Sequence, residues 1–180
     1  MKKTKQPENS ENTMKNAKTE NTKKEMTKME TKKDKKIKKV NEGNLASDFS
    51  LKDTKGNSFT LSSQQGKKVY IKFWASWCPI CLAGLAEIDD LSAEKDRNFE
   101  VITIVSPDHK GEKDTADFIE WYKGLEYKNI TVLLDEKGEI IDKARVRGYP
   151  FNLFLDSDLN LKKTVPGHLG AEQIRVFAEK

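Results

Sequence analysis

An apolar run from Val69 to Trp74 gives way within four residues to Cys78-Pro79-Ile80-Cys81, and this junction constrains the chain more than any other stretch. Val69, Tyr70, Ile71, Phe73 and Trp74, interrupted only by Lys72, are short, apolar and rich in β-branched and aromatic residues. They read as a central strand covered on both faces. Pro79 is favoured as the first residue of a helix, where its missing N–H is not needed. The sequence therefore predicts a strand, a turn and a helix that opens on a pair of cysteines. Cys78 falls near the N-cap, where free backbone N–H groups and the positive dipole end favour a thiolate, while Cys81 lies one turn inside and better shielded. Cys78 is the expected nucleophile and Cys81 the expected resolving thiol.

These are the only two cysteines in 180 residues. A disulfide over so short a loop removes little entropy from the unfolded chain and would staple almost nothing. A zinc half-site would need a second cysteine pair or closely spaced histidines, whereas the chain has only His109 and His168. Two thiols three positions apart can close into a disulfide ring and reopen, passing two electrons to and from other proteins. The expected chemistry is redox exchange with no metal and no organic cofactor, the Cys78–Cys81 disulfide itself being the redox group.

Composition divides the chain near residue 43. Residues 1–42 hold 14 lysines, no arginine and 7 acids, with no aromatic residue, whereas residues 43–180 hold 19 basic and 22 acidic residues. The first stretch has too little to bury and is expected to be a disordered basic tail or linker. It lacks the arginines and stacking aromatics of a nucleic-acid arm, so a flexible spacer is preferred and no nucleic-acid partner is expected. Residues 43–180 are of the size of one domain. No apolar window is long enough to span a bilayer and no signal peptide is legible, so either the protein is cytoplasmic or its targeting and anchoring residues lie outside this numbering.

Along the body, Phe49–Asp53 and Ser58–Leu61 flank Thr54-Lys55-Gly56-Asn57 as a β-hairpin. Ser62–Gln65 suggests one helical turn. Leu82, Leu85, Ile88 and Leu91 recur at helical spacing and predict one amphipathic helix to about Glu94. Val101–Val105 is a second buried strand, Asp114–Tyr122 a helix and Ile130–Leu134 a third short strand. Asn152–Leu155 and Leu159–Val165 form a closing hairpin, and Ala171–Ala178 a terminal helix.

This order of elements, with Phe73-Trp74-Ala75-Ser76-Trp77-Cys78-Pro79-Ile80-Cys81 and then Gly148-Tyr149-Pro150 before the last hairpin, resembles the thioredoxin fold in its TlpA/ResA-like form. The resemblance covers residues 43–180 and implies a central mixed sheet flanked by helices, with an added N-terminal hairpin and an insertion near Pro107–Leu134. Tyr70-Ile71-Lys72-Phe73-Trp74-Ala75-Ser76-Trp77-Cys78 with Leu82-Ala83 looks most like streptococcal surface thioredoxin-like proteins that reduce methionine sulfoxide reductase. It implies that Pro150 is a cis-proline facing the cysteines, with Tyr149 offering its backbone to a substrate strand. Trp77, Pro79, Ile80 and Phe151 complete the expected substrate rim, core packing being the competing reading for Phe151. Trp74 and Trp121 are expected to pack inside.

The sequence departs from the family pattern in two places. Lys72 stands where plain thioredoxin has a buried aspartate, so it cannot act as a carboxylate base. It modulates the thiols if its amine turns toward the site, or else snorkels to solvent. Gly84 stands where some ResA-like proteins have an active-site glutamate, and Glu87 one turn later is expected on the exposed face.

The resemblance implies an extracytoplasmic, membrane-tethered or cell-surface reductant, monomeric, with methionine sulfoxide reductase as the protein partner and a CcdA-type membrane protein as the electron donor. Cytochrome c maturation and a redox-dependent binding module without turnover are the alternatives. A peroxiredoxin-type peroxidase is disfavoured because Ile71 and Ala75 occupy the places of its upstream proline and hydroxyl residue.

Overall fold

The computed structural model of the protein describes residues 48–180; the expected tail of residues 1–42 lies outside them. A seven-stranded mixed sheet is built from β1 (Ser50–Asp53), β2 (Ser58–Thr60), β3 (Lys68–Phe73), β4 (Phe99–Val105), β5 (Val132–Leu134), β6 (Phe151–Leu155) and β7 (Leu161–Pro166), in the order β2-β1-β5-β4-β3-β6-β7. The helices are α1 (Pro79–Ala83), α2 (Leu85–Ala93), α3 (Thr115–Lys123), α4 (Glu139–Lys143) and α5 (Ala171–Glu179), with a 3-10 turn at Leu61–Gln64.

Strand β3 runs parallel to β4 on one side and antiparallel to β6 on the other. That central position is why nearly all of its side chains are apolar. Val69, Ile71 and Phe73 join Ile102, Ile104, Leu153 and the α4 residues Ile140 and Ile141 on one face. Tyr70 points to the opposite face, where Ile88 and Leu91 of α2 and Ile174 of α5 cover it, and Trp74 continues that face under Phe118 and Tyr122 of α3. Trp74 is fully buried, and Trp121 packs against it at 6.4 Å between ring centroids. Both are structural, as expected.

The N-terminal hairpin is closed by Asp53, whose Oδ1 accepts from the N–H groups of Lys55 and Asn57, while Gly56 supplies a φ of 86°. Strand β1 also pairs antiparallel with β5, so the hairpin extends the main sheet. Asp114 is the N-cap of α3, accepting from the Asp117 N–H at 2.9 Å.

The single helix expected after the cysteines is divided into α1 and α2. Gly84 is the joint: its N–H bonds to the carbonyls of Cys81 and Leu82, tightening the last turn of α1. A Cβ on Gly84 would stand 2.8 Å from His168 Cε1 and 3.4 Å from Lys72 Nζ. The joint is thus bare because two other side chains occupy the space.

Candidate active site

Strand β3 ends at Phe73 and the chain turns back on itself, the Cys78 N–H reaching the Ala75 carbonyl at 3.2 Å. Pro79 then occupies the first helical position and leaves Cys78 as N-cap, its Sγ accepting from the Cys81 N–H at 3.3 Å. The expected cap geometry is therefore present. Cys78 and Cys81 form a disulfide with Cα atoms 5.2 Å apart. Cys81 is fully buried and Cys78 nearly so, but the residues around Cys78 are not: Trp77 is 50% exposed and Ile80 53%, and Pro79 is also exposed. An exposed Trp and Ile flanking a disulfide are what a partner protein would cover.

The loop before β6 supplies the facing wall. The Tyr149–Pro150 bond is cis, and the Tyr149 ring meets the Trp77 ring edge-on at 5.8 Å. Burial, followed by the nearby charges of Glu112 and Asp135, pushes the Tyr149 phenol up to about 12. Phe151 is half-buried and packs toward the core, its ring 6.3 Å from Phe73. Of its two readings the structure supports packing. Beside this wall lies a groove of about 350 Å³ between Arg147–Phe151 and Pro166–Gly167.

Beneath the helices, Lys72 does not snorkel. It is 1% exposed, and its Nζ has no hydrogen-bond partner. Lys72 lies opposite Thr103 on β4 and Asn152 on β6. Thr103 Oγ1 donates to the Thr131 carbonyl, and Asn152 bonds Tyr70 through Oδ1 and the Val165 and Gly167 carbonyls through Nδ2. A polar row thus crosses the sheet under Gly84 with its middle member unpaired. Burial lowers the Lys72 amine from 10.5 to about 8, with the charge of Glu87 opposing that shift. Glu87 is exposed, as expected, and accepts from the Ala171 N–H at 2.9 Å, tying α2 to α5.

Two contributors were not legible in the sequence. One is His168, which shares the space over Gly84 with Lys72 although the two lie 96 positions apart. The other is Glu112, a buried carboxylate in the insertion, which accepts from the Ser76 N–H at 2.6 Å and the Ser76 hydroxyl at 2.5 Å. Neither belongs to a periodic pattern or a spaced motif. Each is brought to the site by its own loop, Glu112 between β4 and α3 and His168 between β7 and α5.

Comparison with known proteins agrees with this geometry. The Redoxin family profile matches residues 41–169. The crystal structure of an exposed lipoprotein thioredoxin (Etrx1) from Streptococcus pneumoniae superposes with a TM-score of 0.71 at 46% identity, covering 73% of this chain and 98% of that one. An uncharacterized protein of Haemophilus influenzae is 89% identical over 137 residues, covering 76% of this chain and 87% of its own. The thiol-disulfide oxidoreductase ResA of Halalkalibacterium halodurans is 25% identical over 138 residues, or 76% of this chain and 75% of that protein. A dithiol pair at a strand-to-helix turn, a proline loop facing it and a thioredoxin-like sheet beneath lead to one assignment: the chain belongs to the Redoxin family and is a thiol–disulfide oxidoreductase.

Proposed function

We propose that the protein is the reductant of a protein disulfide outside the cytoplasm, with methionine sulfoxide reductase as the partner and a CcdA-type membrane protein as the source of electrons. The observation that carries this reading is the exposed apolar rim of Trp77, Pro79 and Ile80 around Cys78, facing Tyr149 and Pro150, in a chain 46% identical to an exposed lipoprotein thioredoxin. Such a rim suits a protein loop better than a small molecule. Among the described residues no helix is long and apolar enough to cross a membrane. The lysine-rich residues 1–42 are the spacer that would let the domain reach its partner from an anchor.

In the proposed cycle the Cys78 thiolate attacks one sulfur of the partner disulfide. The partner S–S bond breaks, its second sulfur leaves as a thiolate and takes up a proton, and a mixed disulfide joins the two proteins. Cys81, deprotonated, then attacks Cys78 Sγ, forming the internal disulfide and releasing the partner's first sulfur as a thiolate that is protonated in turn. Two electrons and two protons reach the partner. Tyr149 and Pro150 position the incoming strand. Lys72 modulates the thiols from beneath Gly84, one helical turn after Cys81.

The test is stoichiometric reduction of oxidised methionine sulfoxide reductase by the reduced full chain, followed by thiol trapping, with Cys78→Ser as control. The proposal predicts complete transfer. Reduction of insulin but not of methionine sulfoxide reductase would leave the oxidoreductase and reject this partner, and reduction of an apocytochrome c disulfide alone would favour the maturation role.

A further inference from the structure

The insertion between β4 and α3 delivers one buried carboxylate to the turn that carries the nucleophile. Residues 106–113 close on themselves through three backbone bonds: His109 N–H to the Ser106 carbonyl, Glu112 N–H to the His109 carbonyl and Asp108 N–H to the Lys113 carbonyl. Asp108 and Lys110 hold φ values of 62° and 52°, and Gly111 81°. Left-handed backbone at two non-glycine residues persists only where the surroundings enforce it, and such strain gathers at functional sites. What the loop presents is Glu112.

Every contact Glu112 makes through its side chain is one in which it accepts. Its Oε2 takes the Ser76 N–H at 2.6 Å, and its Oε1 takes the Ser76 hydroxyl at 2.5 Å and the Lys113 N–H at 2.7 Å. Three donors and no acceptor facing it are the pattern of an ionised carboxylate. Ser76 is buried, and its N–H is the first inside the turn from Ala75 to Cys78. Without Glu112 both its donors would be orphaned. The same loop passes Trp77, since a side chain on Gly111 would begin 3.7 Å from the Trp77 Nε1.

Lys113 brings the one opposing charge that touches this contact. Its Nζ donates to Ser76 Oγ at 3.2 Å and lies 5.5 Å from the centre of the Trp121 ring, but the residue is exposed and its charge is screened by water, while Glu112 is buried. The buried charge held against Ser76, two residues before Cys78, is therefore the negative one. Negative charge beside a thiol disfavours its thiolate, and a less stabilised thiolate makes the reduced form a stronger electron donor.

We infer that Glu112 is a positioning residue that holds the Ser76–Trp77–Cys78 turn for attack, and that its buried charge biases the Cys78–Cys81 couple toward the disulfide, making the protein a reductant. The inference rests on thiol–disulfide exchange at Cys78–Cys81 and not on which protein is reduced. It gives the couple a direction that the cysteine motif alone does not.

Glutathione redox buffers provide a test free of any natural partner. The full chain, Glu112→Gln, Glu112→Ala and Ser76→Ala are equilibrated across a range of glutathione ratios, and each is scored for folding by thermal melt. Glu112→Gln keeps an acceptor for the Ser76 N–H and removes the charge, so its couple should shift three- to tenfold toward the dithiol, about 14 to 30 mV more oxidising. Glu112→Ala loses both bonds to the turn and should reduce a disulfide peptide at least tenfold more slowly in kcat/KM, while Ser76→Ala, which keeps the backbone N–H bond and loses only that of the hydroxyl, and Glu112→Gln should fall in between. A folded Glu112→Gln variant with the wild-type equilibrium overturns the charge assignment, because a purely structural carboxylate would alter melting and leave the couple unmoved. Wild-type kcat/KM in both Ser76→Ala and Glu112→Gln overturns the positioning role even where Glu112→Ala does not fold.

Discussion

Replacing Lys72 with methionine should stabilise the protein, and by an amount that depends on pH. The Lys72 amine is fully buried without a partner, and burial lowers it from 10.5 to about 8. Each unit of such a shift is about 1.4 kcal/mol, so holding the ammonium in the folded state costs about 3 kcal/mol wherever it is protonated in both states. The sign follows from proton counting. Between about pH 8 and 10.5 the unfolded chain holds a proton that the folded chain has lost, so the wild type gains stability as pH rises through that window. Below it the full cost is present. Lys72→Met keeps the length of the side chain and removes the charge, so it should be more stable than wild type by about 3 kcal/mol at pH 6.5, roughly 10 °C in melting temperature, and by about half as much at pH 9.5. Urea unfolding of both proteins as disulfides, at the two pH values, measures this while keeping the thiols from titrating. A variant no more stable than wild type at pH 6.5, or a gain that does not change with pH, would refute the argument.

Cys78→Ser should abolish disulfide reduction, while Cys81→Ser should accumulate covalent adducts with partner proteins, visible as gel bands that thiol reagents dissolve; equal adducts from both variants would contradict the assigned roles. Trp77→Ala should raise KM for a protein disulfide about tenfold, the loss of one exposed aromatic anchor, with a melting temperature close to wild type, and an unchanged KM would remove Trp77 from the rim. Gly84→Ala should destabilise the protein, since its methyl would meet His168 at 2.8 Å, and in a His168→Ala background the same change should cost clearly less. Urea midpoints of the four proteins decide it, and a Gly84→Ala effect independent of residue 168 would show that the clash is not what keeps the joint bare.

The strand-to-helix turn was legible because its physics is local. Proline at the first helical position fixes where the helix starts, so Cys78 as N-cap and the exposed Trp77 follow from neighbours in the chain. Strand β3 and the terminal hairpin follow from the runs Val69–Trp74 and Asn152–Leu155 in the same way. The division at Gly84 was not legible, because Leu82, Leu85, Ile88 and Leu91 keep one helical period across it, and the side chains that crowd the joint, His168 and Lys72, come from elsewhere in the chain. Lys72 was ambiguous for a related reason. A lysine stem can bury or snorkel on any strand, and here its amine ends beneath the Gly84 joint, which only the folded chain brings over it. Glu112 lies in a loop of charged residues that reads as solvated, until the loop folds back on Ser76.

The two edges of the sheet differ from its interior in a way that bears on how copies of this domain meet. At one end β2 offers only three residues, Ser58–Thr60. At the other, β7 carries Lys162 and Lys163 exposed on successive positions and ends in Pro166, with the Lys163 ammonium drawn over the Phe177 ring at 3.7 Å. A strand from a neighbouring molecule would find too few free backbone groups on the first edge, and clustered positive charge and a missing N–H on the second. Backbone pairing between copies through either edge is thereby disfavoured.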